Sequence, residues 1–378
     1  MAQAEEKNQG KQVTRRRLLI GGAVTGGVVI VAGAGVTIFA LNEGKQASSS
    51  QPPKLKSITN GHTITYQIAQ EDGTDSINHT DIRWGLYGAD LGHTFMHLGQ
   101  MYMVFGDSFG PNNTDWRSNT MARIKISSST DPSKGLIFED MITDRAGHAK
   151  ELLHSLKVSG DEMTVIPTYG VSVAPRMFLH YMSVNTWGQP GHWTLNNSGM
   201  AYSDDNGQNW TKDENMTWPG DSNFGQVAIV ENGSYLYFFG IPGGRYGGVQ
   251  LARVEPQSIL DKTAYAYWDG STWQANNPGT AQTIVPAPVG ELSVRWNSHY
   301  KKWLMMYLND PGYRIVLRTA DNLAGPWSDE QVIVTGQQYP QLYAPYITPL
   351  WNDGPDIYYA MSLFGPYCVD LMRTRLNH

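Results

Sequence analysis

Ser203-Asp204-Asp205-Asn206-Gly207-Gln208-Asn209-Trp210 reads as a tight turn joining two antiparallel strands. Asn-Gly tolerates positive φ, and an aspartate just before it can accept the turn's own N–H groups. The segment follows a strand-like run, Gly199-Met200-Ala201-Tyr202-Ser203, and ends on a tryptophan placed to pack beneath the bend. Two turns of the same flavour come later: Tyr267-Trp268-Asp269-Gly270-Ser271-Thr272-Trp273, and Thr319-Ala320-Asp321-Asn322 through Gly325-Pro326-Trp327. Three such turns imply a repeated unit.

Outward from these turns, five aromatic or β-branched runs recur, starting at Met101, Met177, Tyr235, Trp303 and Ile357, 54 to 76 residues apart. Each follows a turn signal and pairs as a hairpin with the strand before it: Asp90 to His97, Val165 to Val173, Gln226 to Val230, Leu292 to Trp296 and Leu342 to Ile347. The interval suits a four-stranded unit with generous loops, and such units bury their faces only by packing radially. The expected fold is therefore all-β, a five-bladed β-propeller. Its blades are expected at about 80–135, 150–215, 221–280, 286–335 and 338–375, the last completed by a strand near Ile64 to Ile68. Only Pro256 to Lys262 and Gly147 to His154 suggest a helical turn, and a pair of β-sandwiches is the structural rival. The 203–210 segment also resembles the Asp-box hairpin of sialidase-like propellers, a structural device that gives Asp205 no catalytic role.

Composition narrows the function. Of 378 residues, Lys and Arg number 28 and Asp and Glu 34; without residues 1–45 the balance is 22 against 31. So acidic a body repels a nucleic-acid backbone, and no nucleic-acid partner is expected. Twelve tryptophans and 20 tyrosines suit neutral polar ligands that stack on rings, although at least half of them are expected in the sheet cores. Thr14-Arg15-Arg16-Arg17 before the uncharged run Ile20 to Leu41 resembles a bacterial twin-arginine signal, and its 22 residues are also long enough to span a bilayer. Residues 1–45 are thus a signal or membrane anchor, 46–60 a linker and 61–378 the propeller, exported and either secreted or anchored. Cys368, the only cysteine, cannot form an internal disulfide. A Gly-x-Ser-x-Gly elbow, a phosphate loop and zinc-type spacing are all missing. His93 and His97 share a strand face and leave a metal conceivable, but no cofactor is expected beyond room for a structural calcium or sodium ion.

In a propeller the ligand sits over the axis, which selects few carboxylates. Asp90 begins the first inner strand, Asp107 follows the second strand in Val104-Phe105-Gly106-Asp107-Ser108-Phe109, and Glu291 opens the fourth unit's inner strand in Gly290-Glu291-Leu292-Ser293. Each could instead merely accept turn N–H groups.

The run from Asp90 through Gly106-Asp107-Ser108-Phe109 and Trp116-Arg117-Ser118-Asn119, with Pro242-Gly243-Gly244-Arg245-Tyr246-Gly247-Gly248 and Gly290-Glu291-Leu292-Ser293, resembles the endo-D-arabinanase family, glycoside hydrolase family 183. The resemblance spans roughly residues 75–375. It implies a five-bladed propeller that hydrolyses α-D-arabinofuranosyl linkages of cell-wall arabinan with inversion, through two aspartates matching Asp90 and Asp107. Inversion needs one acid and one base flanking a water, about 6.5–9.5 Å apart. Asp90 is assigned the base and Asp107 the acid, since Phe105 and Phe109 would desolvate it; the two roles are exchangeable. Glu291 tunes or replaces one of them. Arg117, Asn119, Arg176, Arg245 and Arg295 are candidates for hydroxyl contacts, and Trp84, Trp116, Tyr246, Tyr313 and Tyr343 for stacking on sugar rings. The expected partner is polysaccharide alone, met by a monomer. The alternatives are a glycan-binding propeller without catalysis, or a glycosidase acting on another furanoside or a sialoside.

If the leader reading holds, changing Arg15 and Arg16 together to lysine strands the precursor inside the cell, as seen by immunoblotting of cell fractions. Unchanged export would refute the twin-arginine assignment.

Overall fold

The computed structural model describes residues 27–31, 36–40, 58–60, 63–127 and 130–376. The arginine pair and most of the tether lie outside these residues. Within the expected leader, Gly27–Val31 and Val36–Ala40 pair antiparallel. No helix among the described residues is long and apolar enough to cross a membrane.

The body is a five-bladed β-propeller. Its first blade runs from the axis outward as Gly88–His97, Gln100–Phe109, Thr120–Ile124 and Phe138–Met141, each antiparallel to the next. The second is Thr164–Val173, Arg176–Trp187, Trp193–Ser203 and Thr211–Pro219. Blade three starts Gln226–Asn232, Tyr235–Ile241, Gly247–Val254, and its outer edge is divided. Ala266–Trp268, folded back on Trp273–Ala275, pairs with Ala252 and Arg253, while Thr283–Val289 pairs with residues nearer Gly247. That last strand extends blade three past the expected 280. Blade four is Leu292–Asn297, Lys302–Asn309, Arg314–Ala320 and Gln331–Thr335. Blade five takes Leu342–Ile347, Asp356–Leu363 and Cys368–Leu376 from the C-terminal end, and Thr63–Gln70 then Ile58–Asn60 from the N-terminal side. Ile58–Asn60, expected in the linker, is thus a strand. The innermost strands touch in order around the ring, the fifth against the first.

The second strands explain why the aromatic runs are so apolar. Met101, Met103 and Phe105 face the core shared with blade five, whereas Tyr102 and Val104 face blade two. In blade four Leu304, Met306 and Leu308 point one way and Trp303, Met305 and Tyr307 the other. A strand buried on both faces needs apolar residues at odd and even positions alike.

The quoted turn joins the third and fourth strands of blade two. Ser203 Oγ donates to Asp205 Oδ1 (2.8 Å) and accepts from Gly207 N (2.9 Å), Asp205 Oδ1 accepts from Asn209 N (2.8 Å), and Trp210 Nε1 donates to the Gly207 carbonyl (2.9 Å). Asn206 and Gly207 take φ of 56° and 84°, the left-handed pair an Asn-Gly turn supplies. Gly147 to His154 is not helical; the one α-helical turn among the described residues is Thr80–Trp84, ahead of the first inner strand.

Ring closure buries acids. Glu71 and Asp72 follow the closing strand and are fully buried, with Asp370 of Cys368–Leu376 beside them at 1% exposure. Burial lifts the Asp370 carboxyl to about 7, with the Gln67 side chain opposing the rise. The folded chain therefore binds a proton that the unfolded chain, with an aspartate pKa of about 3.9, releases, so stability falls as pH rises from about 4 through about 7. Asp370→Asn should raise the Tm by about 3 °C or more at pH 8 and alter it little below about pH 4 in paired thermal melts. An unchanged Tm at pH 8 would remove the charge penalty from the account.

Candidate functional site

Strand polarity gathers one set of side chains at one end of the axis: those that begin an inner strand, end a second strand or occupy the loop that follows it. Asp90, Thr164, Glu291 and Tyr343 stand at or just before the starts of inner strands, Asp107 near the end of a second strand, and Arg245 and Asp310 just after second strands.

Two successive bulges shape blade one at this end. Ala89 pairs with Ser108 and Leu91 with Phe105, so Gly106 and Asp107 together oppose the single residue Asp90. The register then shifts again between Leu91 and His93, where Leu91 and Gly92 take φ of 68° and 72°. Bulges re-aim the side chains beside them. The Asp90 carboxylate lies over the Cα of Gly106, where a Cβ would collide with Oδ1.

The two aspartates are gripped from different neighbours. Tyr343 Oη, from blade five, donates to Asp90 Oδ2 at 2.9 Å. Thr164 Oγ1, from blade two, donates to Asp107 Oδ1 at 2.7 Å, and Trp116 Nε1 donates to the same oxygen at 2.9 Å. Asp90 is half-buried while Asp107 is 1% exposed, sealed by a Trp116 ring that stacks on Phe109. Glu291 is buried too. Its Oε1 accepts from Arg245 Nε (3.0 Å) and Nη2 (2.8 Å), and its Oε2 has no hydrogen-bond partner among the described residues. The same guanidinium gives Nη1 to Asp310 Oδ1 (3.3 Å) and lies 5.1 Å from the Tyr343 ring centre. Arg245 is held firmly protonated by Glu291 and Asp310, against the opposing pull of its own burial. Burial drives the Tyr343 phenol far above its ordinary range, aided by Asp90, and it does the same to Tyr346, aided by Glu291 and Asp90. Both phenols stay neutral, able to donate.

Other candidates fall elsewhere. Arg176 pairs with Asp204 of the Asp-box turn (2.6 Å), at the end of its blade away from Asp107, because it starts its strand where Asp107 ends one. Arg295 lies toward the far end of its inner strand and donates to the Pro349 carbonyl (2.9 Å). Arg117 gives Nη1 to the Ala149 carbonyl and Nη2 to that of Gly85, and Asn119 bonds only backbone groups of Leu152, Leu153 and Val165. Both are staples for the strap around residues 149–153. Trp84 is core, 8% exposed, with the Arg83 guanidinium 3.8 Å over its ring. Tyr343 is a hydrogen-bond donor to Asp90 instead of an open stacking face. Tyr246 and Tyr313 remain exposed, at 40% and 46%.

Thr164, Asp310, Trp193, whose ring centre lies 5.8 Å from the Arg245 guanidinium, and His192, stacked on Tyr246, join the site unforeseen. Asp310 carried a usable signal, since Asn309-Asp310-Pro311-Gly312 ends a second strand as Gly106-Asp107 does in blade one. His93 is fully buried between Tyr169 and Tyr346, and burial pushes its imidazole down to about 3, while His97 bonds Ser172. Among the described residues no three His, Cys, Asp or Glu side chains are grouped to hold a metal.

The mouth therefore gathers several carboxylates, one fixed guanidinium, neutral phenols and exposed rings, groups that can exchange protons and hydrogen bonds with a polyhydroxylated ligand. Residues 75–373 match the model of the family described as Domain of unknown function (DUF4185). Notoamide biosynthesis cluster protein J of Aspergillus sp. (strain MF297-2) is 31% identical over 309 residues, covering 74% of this chain and 80% of that protein. Protein J' of Aspergillus versicolor is 31% identical over 295 residues, 72% and 79% of the two chains. A presumed hydrolase from Bacteroides ovatus ATCC 8483 superimposes with a TM-score of 0.58 at 12% identity, over 87% of this chain and 97% of that one. An exo-beta-1,3-galactanase from Phanerochaete chrysosporium gives 0.50 at 11%, over 82% and 64%. At such identities the two structures speak to the fold alone.

Arg245→Met leaves Glu291 buried without its partner and should cost about 3 kcal/mol, the low end for breaking a buried pair. Adding Glu291→Gln should recover most of it in urea titrations; a neutral single variant would show that the pair is not structurally coupled.

Proposed function

The chain belongs to the DUF4185 family, the one to which its sequence resemblance pointed, and on that premise we propose that it is a glycoside hydrolase. Its substrate is α-D-arabinofuranosyl linkages within cell-wall arabinan, cut internally and with inversion. The observation that carries this reading is the bulge that sets Asp90 against Gly106-Asp107 at the axis mouth, each aspartate anchored from a different neighbouring blade.

Asp90 acts as general base. It is the more open carboxylate, and a neutral phenol on Oδ2 orients it toward a water on the far face of the sugar. Asp107 is the general acid that protonates the leaving glycosidic oxygen; with Thr164 and Trp116 both on Oδ1, its orientation is fixed. Water adds to the anomeric carbon as the exocyclic C–O bond breaks, Asp90 taking the water's proton and Asp107 giving its own to the departing alcohol. Glu291, pinned by Arg245, sets the field across the cleft. Export by the twin-arginine route would bring the enzyme to such a polymer.

A competing reading is a propeller that binds arabinan without cutting it. It rests on Asp107 being sealed beneath Trp116, since acid transfer requires that indole to move aside.

One experiment separates the two. Asp90→Asn and Asp107→Asn should keep fold and glycan binding yet each lose about 10²–10⁴ in turnover, with a smaller loss for Glu291→Gln. NMR of fresh product from a synthetic α-D-arabinofuranoside oligomer should show the β-anomer first. Binding without cleavage by the unaltered protein would favour the silent propeller, full activity in both aspartate variants would sink the catalytic assignment, and α-anomer first would sink inversion.

A further inference from the structure

We propose that Asp310, Tyr246 and Tyr313 form a separate sugar subsite at the mouth, which takes a neutral residue of the glycan away from the bond being cut and makes the rate depend on chain length. The inference rests on the glycosidase reading and deepens it.

Three blades supply the parts. Tyr246 lies on the loop after the second strand of blade three, and its hydroxyl donates to Asp310 Oδ2 at 3.0 Å. His192, in the turn between the second and third strands of blade two, covers one face of the Tyr246 ring, centroids 4.2 Å apart and planes 5° from parallel. Tyr246 as a residue is still 40% exposed, so a ring held by stacking is offered to solvent. Tyr313 stands three residues beyond Asp310 in a turn closed by its own N–H on the Asp310 carbonyl (2.9 Å). Its ring packs on Gly336 and its hydroxyl accepts from Gln341 N at 2.7 Å, so it too is held while 46% exposed. One held, exposed ring thus bonds the carboxylate directly, and a second stands on the same turn as Asp310.

The backbone is cut to fit. Gly191 has a φ of 72°, and a Cβ there would come within 2.8 Å of the Tyr246 ring and 3.1 Å of Asp310 Oδ2. Arg245 N donates to the Gly191 carbonyl at 2.8 Å, tying the two loops together. Pre-set rings lose little freedom when a ligand settles on them.

The chemistry selects the ligand. Ring faces stack on the C–H faces of sugars, and a carboxylate accepts from hydroxyl groups. Asp310 and Glu291 are two carboxylates sharing the single Arg245 guanidinium, and the surplus negative charge would repel a uronic acid, so the residue bound is neutral. Arg245 spans Asp310 and Glu291, which puts this subsite one guanidinium away from Glu291 at the same mouth.

The test is kcat/KM on α-D-arabinofuranoside oligomers of rising length for the unaltered protein, Tyr246→Leu, Tyr313→Leu and Asp310→Asn. The unaltered protein should gain with length, and each variant should lose about three- to tenfold of the ratio between long and short oligomers, the range one ring contact supplies. A fold defect would lower all lengths alike and leave that ratio unmoved. Variants that keep the full ratio in an active enzyme overturn the subsite and spare the glycosidase reading. If the unaltered protein cuts nothing, that reading fails, and ligand-observed NMR with neutral and uronate oligosaccharides decides the subsite alone. Binding of neutral oligomers lost in Tyr246→Leu upholds it; binding unchanged in that variant, or equal for uronates, overturns it.

Discussion

Everything at the axis mouth depends on how the ring is closed. Asp72, just beyond the closing strand Thr63–Gln70, accepts from Val369 N through Oδ1 (2.6 Å) and from Ala89 N through Oδ2 (2.7 Å). One buried side chain therefore joins blade five to the first inner strand, one residue before Asp90. Ser362 of blade five accepts from Leu91 N at 2.8 Å, just after Asp90. The position of Asp90 is fixed from both sides by the last blade, and Tyr343 of that blade orients its carboxylate. Closure and site geometry are the same set of contacts.

That arrangement places acids where water cannot reach. Glu71 and Asp72 are both pushed well above the ordinary carboxylate range, chiefly by burial, although backbone N–H groups oppose the shift. An unpartnered buried polar group is costly, so such a cluster persists only where the backbone donors it satisfies have no substitute. At the mouth the balance differs, because Arg245 answers Glu291 and Asp310 at once.

Much of this was legible in the chain. The aromatic second strands located the blades because each is buried on both faces, as Met101 to Phe105 shows. The quoted turn located a third-to-fourth strand junction because Ser203, Asp205 and Gly207 satisfy one another locally. Asp90, Asp107 and Glu291 stood out for being acidic at strand ends, and the structure brings Asp90 and Asp107 to one bulge with Glu291 at the same mouth. What could not be read is contact across blades. Arg176 and Arg295 look like Arg245 in sequence, yet strand direction sends them to other ends. The bulge at Gly106 depends on a partner strand, and Tyr343's bond to Asp90 spans 253 residues. His192 belongs with these, since it gains meaning only beside Tyr246.

The closing strand also sets a timetable for synthesis. Val369 and Asp72, joined in the finished ring, are 297 residues apart in the chain. At about 5–20 residues per second, a ribosome needs roughly 15–60 s to bridge that interval. Until then Thr63–Gln70 has no Cys368–Leu376 to pair with, and the first inner strand lacks its grip on Asp72. A truncated or stalled chain keeps an open strand edge, the kind that invites pairing with another molecule. Closure of the ring therefore waits until Cys368–Leu376 has been made and has left the ribosome.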